Sequence, residues 1–537
     1  MRVVVAWLVA AAAAGMAFSA LAESDDALPT RVGRVANVQG MLRHSPEGAE
    51  WSAIGLNYPV AQRDSLWTGR EARAEIDYGG GQFRLAGETN VRIARLDERQ
   101  LALFVAAGDV IVRVRDLQPD DAVRIETAAT QIALDRPGLY RIDVGANPPR
   151  TTLVVREGEA NVATANGVER VLPGQVADFA GTRRVTVDIR AVAGLDGFDT
   201  WSAARDRVYE SPRANAYVSR EMVGEYDLDR YGQWRTYPDY GAVWFPTVDP
   251  EWAPYRFGHW TWLPGYGYAW VDNAAWGYAP FHYGRWAFIS GRWGWCPGEF
   301  VARPVWAPAL VAWYGGGGLF ATANGVPVFG WVPLGWGEPF VPWWRCGGGC
   351  YARYNRPYAV NVVGPGEPTR HANLSAPGGI TEVPASTVTT GRPVASNRVT
   401  VASNRPIAPS LTTTPPAVKP APLPADVVRA GNGPAAPAHA ARAMPSASLA
   451  TPRMSATVPP APRAPVVPVP PQRGGAAPLP MPAVPQPSVR PVPVPPLAPA
   501  PAPIHVPQPE MPLPRMPAPP VPGVSPAPPA AVVPMPR

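Results

Sequence analysis

Apolar and polar residues alternate along most of the chain between positions 31 and 187. Ala72-Arg73-Ala74-Glu75-Ile76-Asp77-Tyr78 does so without a break, the period of a half-buried strand. Gly79-Gly80-Gly81 turns the chain, and Gln82-Phe83-Arg84-Leu85 resumes the alternation. The same period recurs at Val91-Arg92-Ile93, Val110 to Val114, Val123 to Ile125, Tyr140 to Val144 and Leu153 to Val155. Two segments echo each other, Ala107-Gly108-Asp109-Val110-Ile111-Val112 and Glu157-Gly158-Glu159-Ala160-Asn161-Val162, each a glycine turn ahead of a strand. Short, evenly spaced strands with glycine turns predict an all-β sandwich, barrel or solenoid.

The period changes after Asp199. Asp199 or Thr200 is placed to cap a helix carrying Trp201, Ala204 and Val208, ended at Ser211-Pro212. A second helical stretch is predicted from Ala214 to Val223, stopping at Gly224. From Tyr231 to Trp344 a third pattern takes over. Gly258-His259-Trp260-Thr261-Trp262, Gly284-Arg285-Trp286-Ala287-Phe288 and Gly291-Arg292-Trp293-Gly294-Trp295 share Gly-x-Trp-x-aromatic, interleaved with Trp-x-Pro steps such as Trp252-Ala253-Pro254. Residues two apart in a strand face one side, so Trp260 and Trp262 share a face, as do Trp293 and Trp295.

Composition sharpens these divisions. Of 20 tryptophans, 17 lie between Trp201 and Trp344, whereas residues 361–537 hold no aromatic side chain and are dense in proline. Runs such as Pro491-Val492-Pro493-Val494-Pro495-Pro496 favour polyproline II, so residues 346–537 are expected to stay uncollapsed, as a spacer or as a ligand for an aromatic groove. Net charge is +6, with 13 basic and 4 acidic residues after position 360. The basic charge is thinly spread along the tail rather than clustered, which argues against nucleic acid as a partner. At the start, Arg2, the apolar run Val3 to Phe18 and Ala20-Leu21-Ala22 form a signal-peptide pattern over 1–22, with an uncleaved anchor as the alternative. No later segment is apolar enough to span a bilayer, so the expected location is periplasmic or secreted, within the cell envelope.

Two resemblances follow from these residues. Gly108-Asp109-Val110, Ile125-Glu126-Thr127, Arg136-Pro137-Gly138-Leu139-Tyr140-Arg141-Ile142 and Arg156-Glu157-Gly158-Glu159-Ala160-Asn161-Val162 resemble the FecR-type periplasmic domain. That implies a twisted, solenoid-like β domain acting by protein contact. The usual FecR protein has a cytoplasmic anti-sigma segment and one transmembrane helix ahead of this domain; a signal peptide stands there instead. Asp227-Leu228-Asp229-Arg230-Tyr231-Gly232-Gln233-Trp234, Trp252 to Trp260 and Trp276 to Trp286 resemble a Trp-rich domain of unknown function often fused behind FecR domains in secreted bacterial proteins. This resemblance implies architecture and location, not chemistry.

Candidate chemistry is sparse. His259 and His282 have no metal-ligand spacing and are expected to hydrogen-bond within hairpins. Cys346 and Cys350 are placed to close a small disulfide, with Cys296 pairing to either as the alternative. Asp120-Asp121 beside Pro119 reads as a solvated connection, and Gly315-Gly316-Gly317-Gly318 lacks the Lys-Ser/Thr of a phosphate loop. No nucleophile elbow, Walker loop or cysteine–histidine signature appears, so no catalytic residue, metal or cofactor is assigned and no enzyme is expected. The tryptophans admit two roles, core of a small β domain or exposed stacking platforms, and the platform candidates are Trp260, Trp262, Trp286, Trp293 and Trp295.

The expected whole is all-β: a FecR-like solenoid or sandwich over 29–190, a helical connector over 197–230, a Trp-rich hairpin domain over 231–345 and a disordered Pro-rich tail over 346–537. The expected function is non-enzymatic binding of cell-wall glycan or an envelope protein. The alternative is an accessory of FecR-type envelope signalling, in sensing or sigma-factor regulation, without its own anti-sigma segment.

Overall fold

A single strand, Gln100–Val114, belongs to two sheets at once. Its first half pairs with Asn90–Leu96 and, in parallel, with Ala122–Glu126; its second half pairs with Gly81–Leu85 and Gly138–Ala146. The change of sheet falls at Gly108, whose φ is +93° and where a Cβ would lie 2.4 Å from the Thr89 hydroxyl oxygen. Only glycine fits that position. The computed structural model describes residues 28–47, 49–210, 216–314, 321–323, 326–358, 371–399 and 411–418. The signal-peptide expectation, Ser211-Pro212, Gly315 to Gly318 and the tail beyond 418 lie outside the described residues.

One sheet runs Pro59–Val60, Gly33–Gln39, Arg73–Asp77, Gly81–Leu85, the second half of the long strand, Gly138–Ala146, Pro149–Glu157, Gln175–Ala180 and Thr186–Ala191. The other runs Ser52–Ala53, Leu42–Ser45, Ser65–Thr68, Asn90–Leu96, the first half of the long strand, Ala122–Glu126, Gln131–Leu134, Ala160–Thr164 and Gly167–Val171. After the long strand, successive hairpins alternate between the sheets, giving the expected solenoid-like sandwich. Its core is aliphatic, with Leu66, Ile93, Leu103, Val112, Ile142 and Val162 all at 0 % exposure.

The half-buried hairpin read from residues 72–85 is buried on both faces instead. Glu75 and Arg84, on the nominally polar face, are each 0 % exposed. The helix Gly197–Asp206 covers them: Glu75 accepts from Arg84 at 2.8 Å, Arg205 at 2.7 Å and the Tyr209 hydroxyl at 2.8 Å. Arg84 also donates to Ser202 at 2.6 Å and Asp206 at 2.8 Å. The helix is capped by Asp196, not Asp199 or Thr200, because Asp196 and Asp199 form a reciprocal capping box. The second expected helix is absent from the described residues 216–223, which turn toward the short helices Glu225–Asp227 and Leu228–Tyr231.

The Trp-rich unit is three small antiparallel sheets wrapped around indoles. Gly232–Tyr237, Gly241–Pro246, Arg292–Cys296 and Arg285–Ile289 form the first; Gly258–Leu263 and Gly267–Asp272 form a hairpin. Val311–Tyr314, Val326–Pro333 and Ala321–Ala323 form the third. Trp244, Trp260, Trp270, Trp286, Trp295, Trp306, Trp313 and Trp331 are fully buried. Rings meet largely tilted or edge to face, as with Trp260 and Trp331 at 5.2 Å and 81°. Many buried indole N–H groups reach carbonyls: Trp244 to Leu228 at 2.8 Å, Trp286 to Pro280 at 2.9 Å and Trp295 to Tyr283 at 2.8 Å.

The tail boundary at 345 is corrected. Gly348–Asn355 is a helix, and Thr381–Pro384 joins the third sheet beside Val326–Pro333. Thr412 exchanges two backbone hydrogen bonds with Trp313, at 2.6 and 2.9 Å. Low aromatic content concealed this, since a segment without its own core can insert aliphatic side chains into another. Val383, Val388 and Val394 enter the indole core, and Leu411 enters the adjoining cluster around Phe340.

A polar seam joins the sandwich to the Trp-rich unit. Arg34, 1 % exposed, donates to Asn57 at 2.9 Å, Asp227 at 2.6 Å and the Ala275 carbonyl at 2.6 Å. Asn57 bonds the carbonyls of Asp272 and Ala274 at 2.8 and 2.7 Å. Asp77 accepts from the backbone N–H groups of Gly79 and Gly224, both at 3.0 Å. The triple-glycine turn is shaped by this approach: a Cβ on Gly79, whose φ is +90°, would sit 2.5 Å from the Glu221 carbonyl oxygen. Burial pushes Asp77 up to about 6, opposed by those N–H groups and Arg34. Burial, reinforced by Asp77, pushes Glu225 up to about 8, and one of its oxygens is buried with no hydrogen-bond partner. Asp272 is pushed up to about 7 by burial, against hydrogen bonds from Ala274 and Trp270.

Two outcomes are expected from this fold. A chain ending at residue 418 keeps a cooperative near-UV circular dichroism transition, whereas one ending at 345 loses roughly 6 kcal/mol or more, counting about 1.5–3 kcal/mol for each aliphatic side chain withdrawn; equal melting of the two would contradict the assignment. The raised seam carboxylates bind protons more tightly folded than unfolded, so stability falls as pH rises through their folded values. His282, held low at about 3, has the opposite slope only below its ordinary value. Between roughly pH 6.5 and 8.5 stability is therefore expected to drop by on the order of 2 kcal/mol, and Glu225→Gln to flatten most of that slope in melts across the range.

Candidate functional site

Where three loops meet along this seam there is a cleft of about 690 Å³. Its first wall is the connection from the long strand to Ala122–Glu126. Asp121 shapes it by accepting the Gln118 backbone N–H at 3.0 Å, and Pro119 stiffens it. The second wall is Val218-Ser219-Arg220-Glu221, where the Ser219 hydroxyl accepts the Glu221 N–H at 3.1 Å and donates to the Ala302 carbonyl at 2.5 Å. That last bond ties in the third wall, Phe300 to Arg303.

The lining mixes both signs of charge with apolar surface. Arg303 donates to Asp121 at 2.8 Å and to the Glu98 carbonyl at 3.1 Å, and lies 3.9 Å from Glu221. Burial works against the Arg303 charge, but Asp121 outweighs it and its pKa is raised. Glu221 is paired with Arg31; burial nevertheless raises its pKa, against Arg31 and Arg303. Arg99 and Asp120 face each other at 3.2 Å on the exposed rim. Arg220 is exposed and makes no ion pair among the described residues, and Phe300 is 63 % exposed. With the Ser219 hydroxyl committed to a carbonyl and Glu221 and Arg303 each paired, no side chain of the described lining is arranged as an activated nucleophile. Among the described residues no three His, Cys, Asp or Glu side chains are grouped to hold a metal ion.

The tryptophans proposed as platforms are elsewhere. Trp260, Trp286, Trp293 and Trp295 are 0–5 % exposed, and for these four the stacking role is corrected: they are core. The cause is double coverage. Strand pairing sets Trp260 against Trp270 and Trp286 against Trp295, and the third sheet then closes over Trp260 through Trp313 and Trp331. Trp262 alone keeps part of its surface, edge-on to Tyr268 at 5.1 Å and 83°. Cys346 and Cys350 are joined as a disulfide with Cα atoms 5.4 Å apart, while Cys296 is a buried free thiol whose pKa burial pushes up to about 12. His282 is buried with Nδ1 2.8 Å from the Ala307 carbonyl; His259 is partly buried, which lowers its pKa. Asp120 stays exposed as expected, but its neighbour Asp121 is tied to Arg303 in the cleft wall.

Glu221, Phe300 and Arg303 carry no local signature. Arg303 meets Asp121 across 182 positions and Arg31 meets Glu221 across 190, so only the fold brings them together. The single signal available was the Asp120-Asp121 pair beside a proline.

Residues 225–338 match a family described as a family of unknown function (DUF6600), which coincides with most of the Trp-rich unit. No curated protein matches the chain. Among solved structures, two crystal structures of "a putative anti-sigma factor" from Parabacteroides distasonis, at 1.65 and 2.50 Å resolution, align at 11 and 12 % identity with a TM-score of 0.22. Each alignment covers 24 % of this chain, which spans 59 % of the length of those structures. So low a score supports no argument about fold or function. The FecR-type resemblance, which covers roughly residues 60–180, rests on its sequence motifs alone.

Proposed function

We propose that the protein is a non-enzymatic binding protein of the bacterial envelope, which takes an extended polypeptide segment of a partner protein into the seam cleft. The observation that carries this is the lining itself: exposed Arg220, the Arg99–Asp120 rim and solvent-facing Phe300 around about 690 Å³ of space. Arg220 suits a carboxylate, Asp116 and Asp120 suit a basic side chain, and Phe300 offers apolar area at the mouth. A polypeptide presents all three within a few residues, whereas a neutral glycan asks chiefly for an open aromatic face. Four of the five indoles singled out for that role, Trp260, Trp286, Trp293 and Trp295, are core. Export is supported by the pattern at residues 1–22.

The test replaces two exposed side chains, Phe300→Ser and Arg220→Glu, in the full chain and places a photo-crosslinking residue at position 302 in parallel. If the pair includes one anchor of about 2 kcal/mol, retention of envelope proteins drops roughly 30-fold in the double variant, and the crosslinker captures a discrete protein. Undiminished sedimentation of the double variant with purified peptidoglycan, and no protein adduct, would refute the proposal in favour of glycan.

A further inference from the structure

The sandwich meets the Trp-rich unit near its first strands, where the Tyr58 hydroxyl accepts from Thr261 at 3.3 Å. The opposite ends of both sheets are open. Among the described residues Gly167–Val171 pairs only with Ala160–Thr164, and Thr186–Ala191 only with Gln175–Ala180. Large apolar side chains stand in solvent there: Val168, Leu172, Ile189 and Leu195 are 40–62 % exposed. The strand Thr186–Ala191 has no proline, no lysine and no bulge, three of the devices that blunt an edge, and its charges are one Asp188 and one Arg190.

The free backbone groups can be assigned. Val192 N–H bonds the Gly174 carbonyl at 2.9 Å, so the alternation of an antiparallel ladder turns Thr186, Asp188 and Arg190 toward Gln175–Ala180. Val187, Ile189 and Ala191 therefore direct N–H and C=O outward. An added antiparallel strand must match outward groups with outward groups. A two-fold axis through Ile189 does so: Ile189 faces Ile189 of the partner subunit, and Val187 faces Ala191 of the partner subunit. The same axis sets Asp188 against Arg190 of the partner subunit, twice, at the positions where opposed side chains approach most closely. Arg190 is already held at the edge by Asp178 and lies 3.4 Å from its own Asp188.

We propose that Thr186–Ala191 is a homotypic docking edge: two copies of this chain pair antiparallel about Ile189, making one continuous sheet and covering the open end of each aliphatic core. The occupant is a second copy because the strand is complementary to itself in charge, apolar pattern and free hydrogen-bonding groups in one register.

Sedimentation velocity of the purified full chain at micromolar concentration tests this, with near-UV circular dichroism as the check on folding. The wild type is expected to sediment as a dimer of 57.3 kDa chains. Asp188→Arg and Arg190→Asp each oppose like charges twice and are expected to be monomers, while an equal mixture of the two restores a dimer containing one of each. Ile189→Cys in the otherwise unchanged chain is expected to form a covalent dimer on mild oxidation. A monomeric wild type, a dimer that persists in both single variants, or a mixture that stays monomeric overturns the proposal.

Discussion

The guanidinium of Arg34 is the constraint on which the rest of the architecture hangs. It projects from the second strand of one sheet and is sealed from water where the sandwich meets the Trp-rich unit. The ring centres of Tyr226 and Tyr278 each lie 5.7 Å from its central carbon, and Asn57, Asp227 and the Ala275 carbonyl accept its hydrogen bonds. Burial alone would lower its pKa; Tyr226 and Asp227 reverse that and hold it above the ordinary value. A charge buried this way commits its surroundings. Leaving it unpaired costs about 3–5 kcal/mol, so both units must present their acceptors together. The strand leading into it enters with it: Val32 packs inside the indole core, and the Tyr278 hydroxyl donates to the Gly33 carbonyl at 3.0 Å.

This fixed seam gives the cleft its shape. Loops from three distant parts of the chain are held in one arrangement by Arg31–Glu221 and Arg303–Asp121. Polar and charged groups on walls held this rigidly would lose little conformational freedom on meeting a ligand. The two open sheet ends and the cleft are built from different residues.

Legibility followed the range of the interactions. Strand alternation over residues 72–85 located the hairpin, because period two is a local property. It misjudged exposure, because the cover over Glu75 and Arg84 comes from a helix about 120 residues on, through contacts such as Arg84 to Ser202. The aromatic spacing likewise found the hairpins of Trp260 and Trp293 but not which faces a second layer would close. Val383 and Leu411 were hidden for the same reason, since nothing near them in sequence signals the strands that receive them. The disulfide at Cys346 and Cys350 was legible as one of the candidate pairings because the two cysteines lie only four positions apart. The cleft was not, because no two of its walls are neighbours in sequence.

The most direct measurement is differential scanning calorimetry of the full chain carrying Arg34→Met, which keeps apolar bulk and removes the charge and its donors. The single cooperative transition of the wild type is expected to split in two, the Trp-rich unit melting first with a change in indole fluorescence while the aliphatic sandwich melts later. One transition at an unchanged temperature would mean that the units are joined by something other than this buried cation.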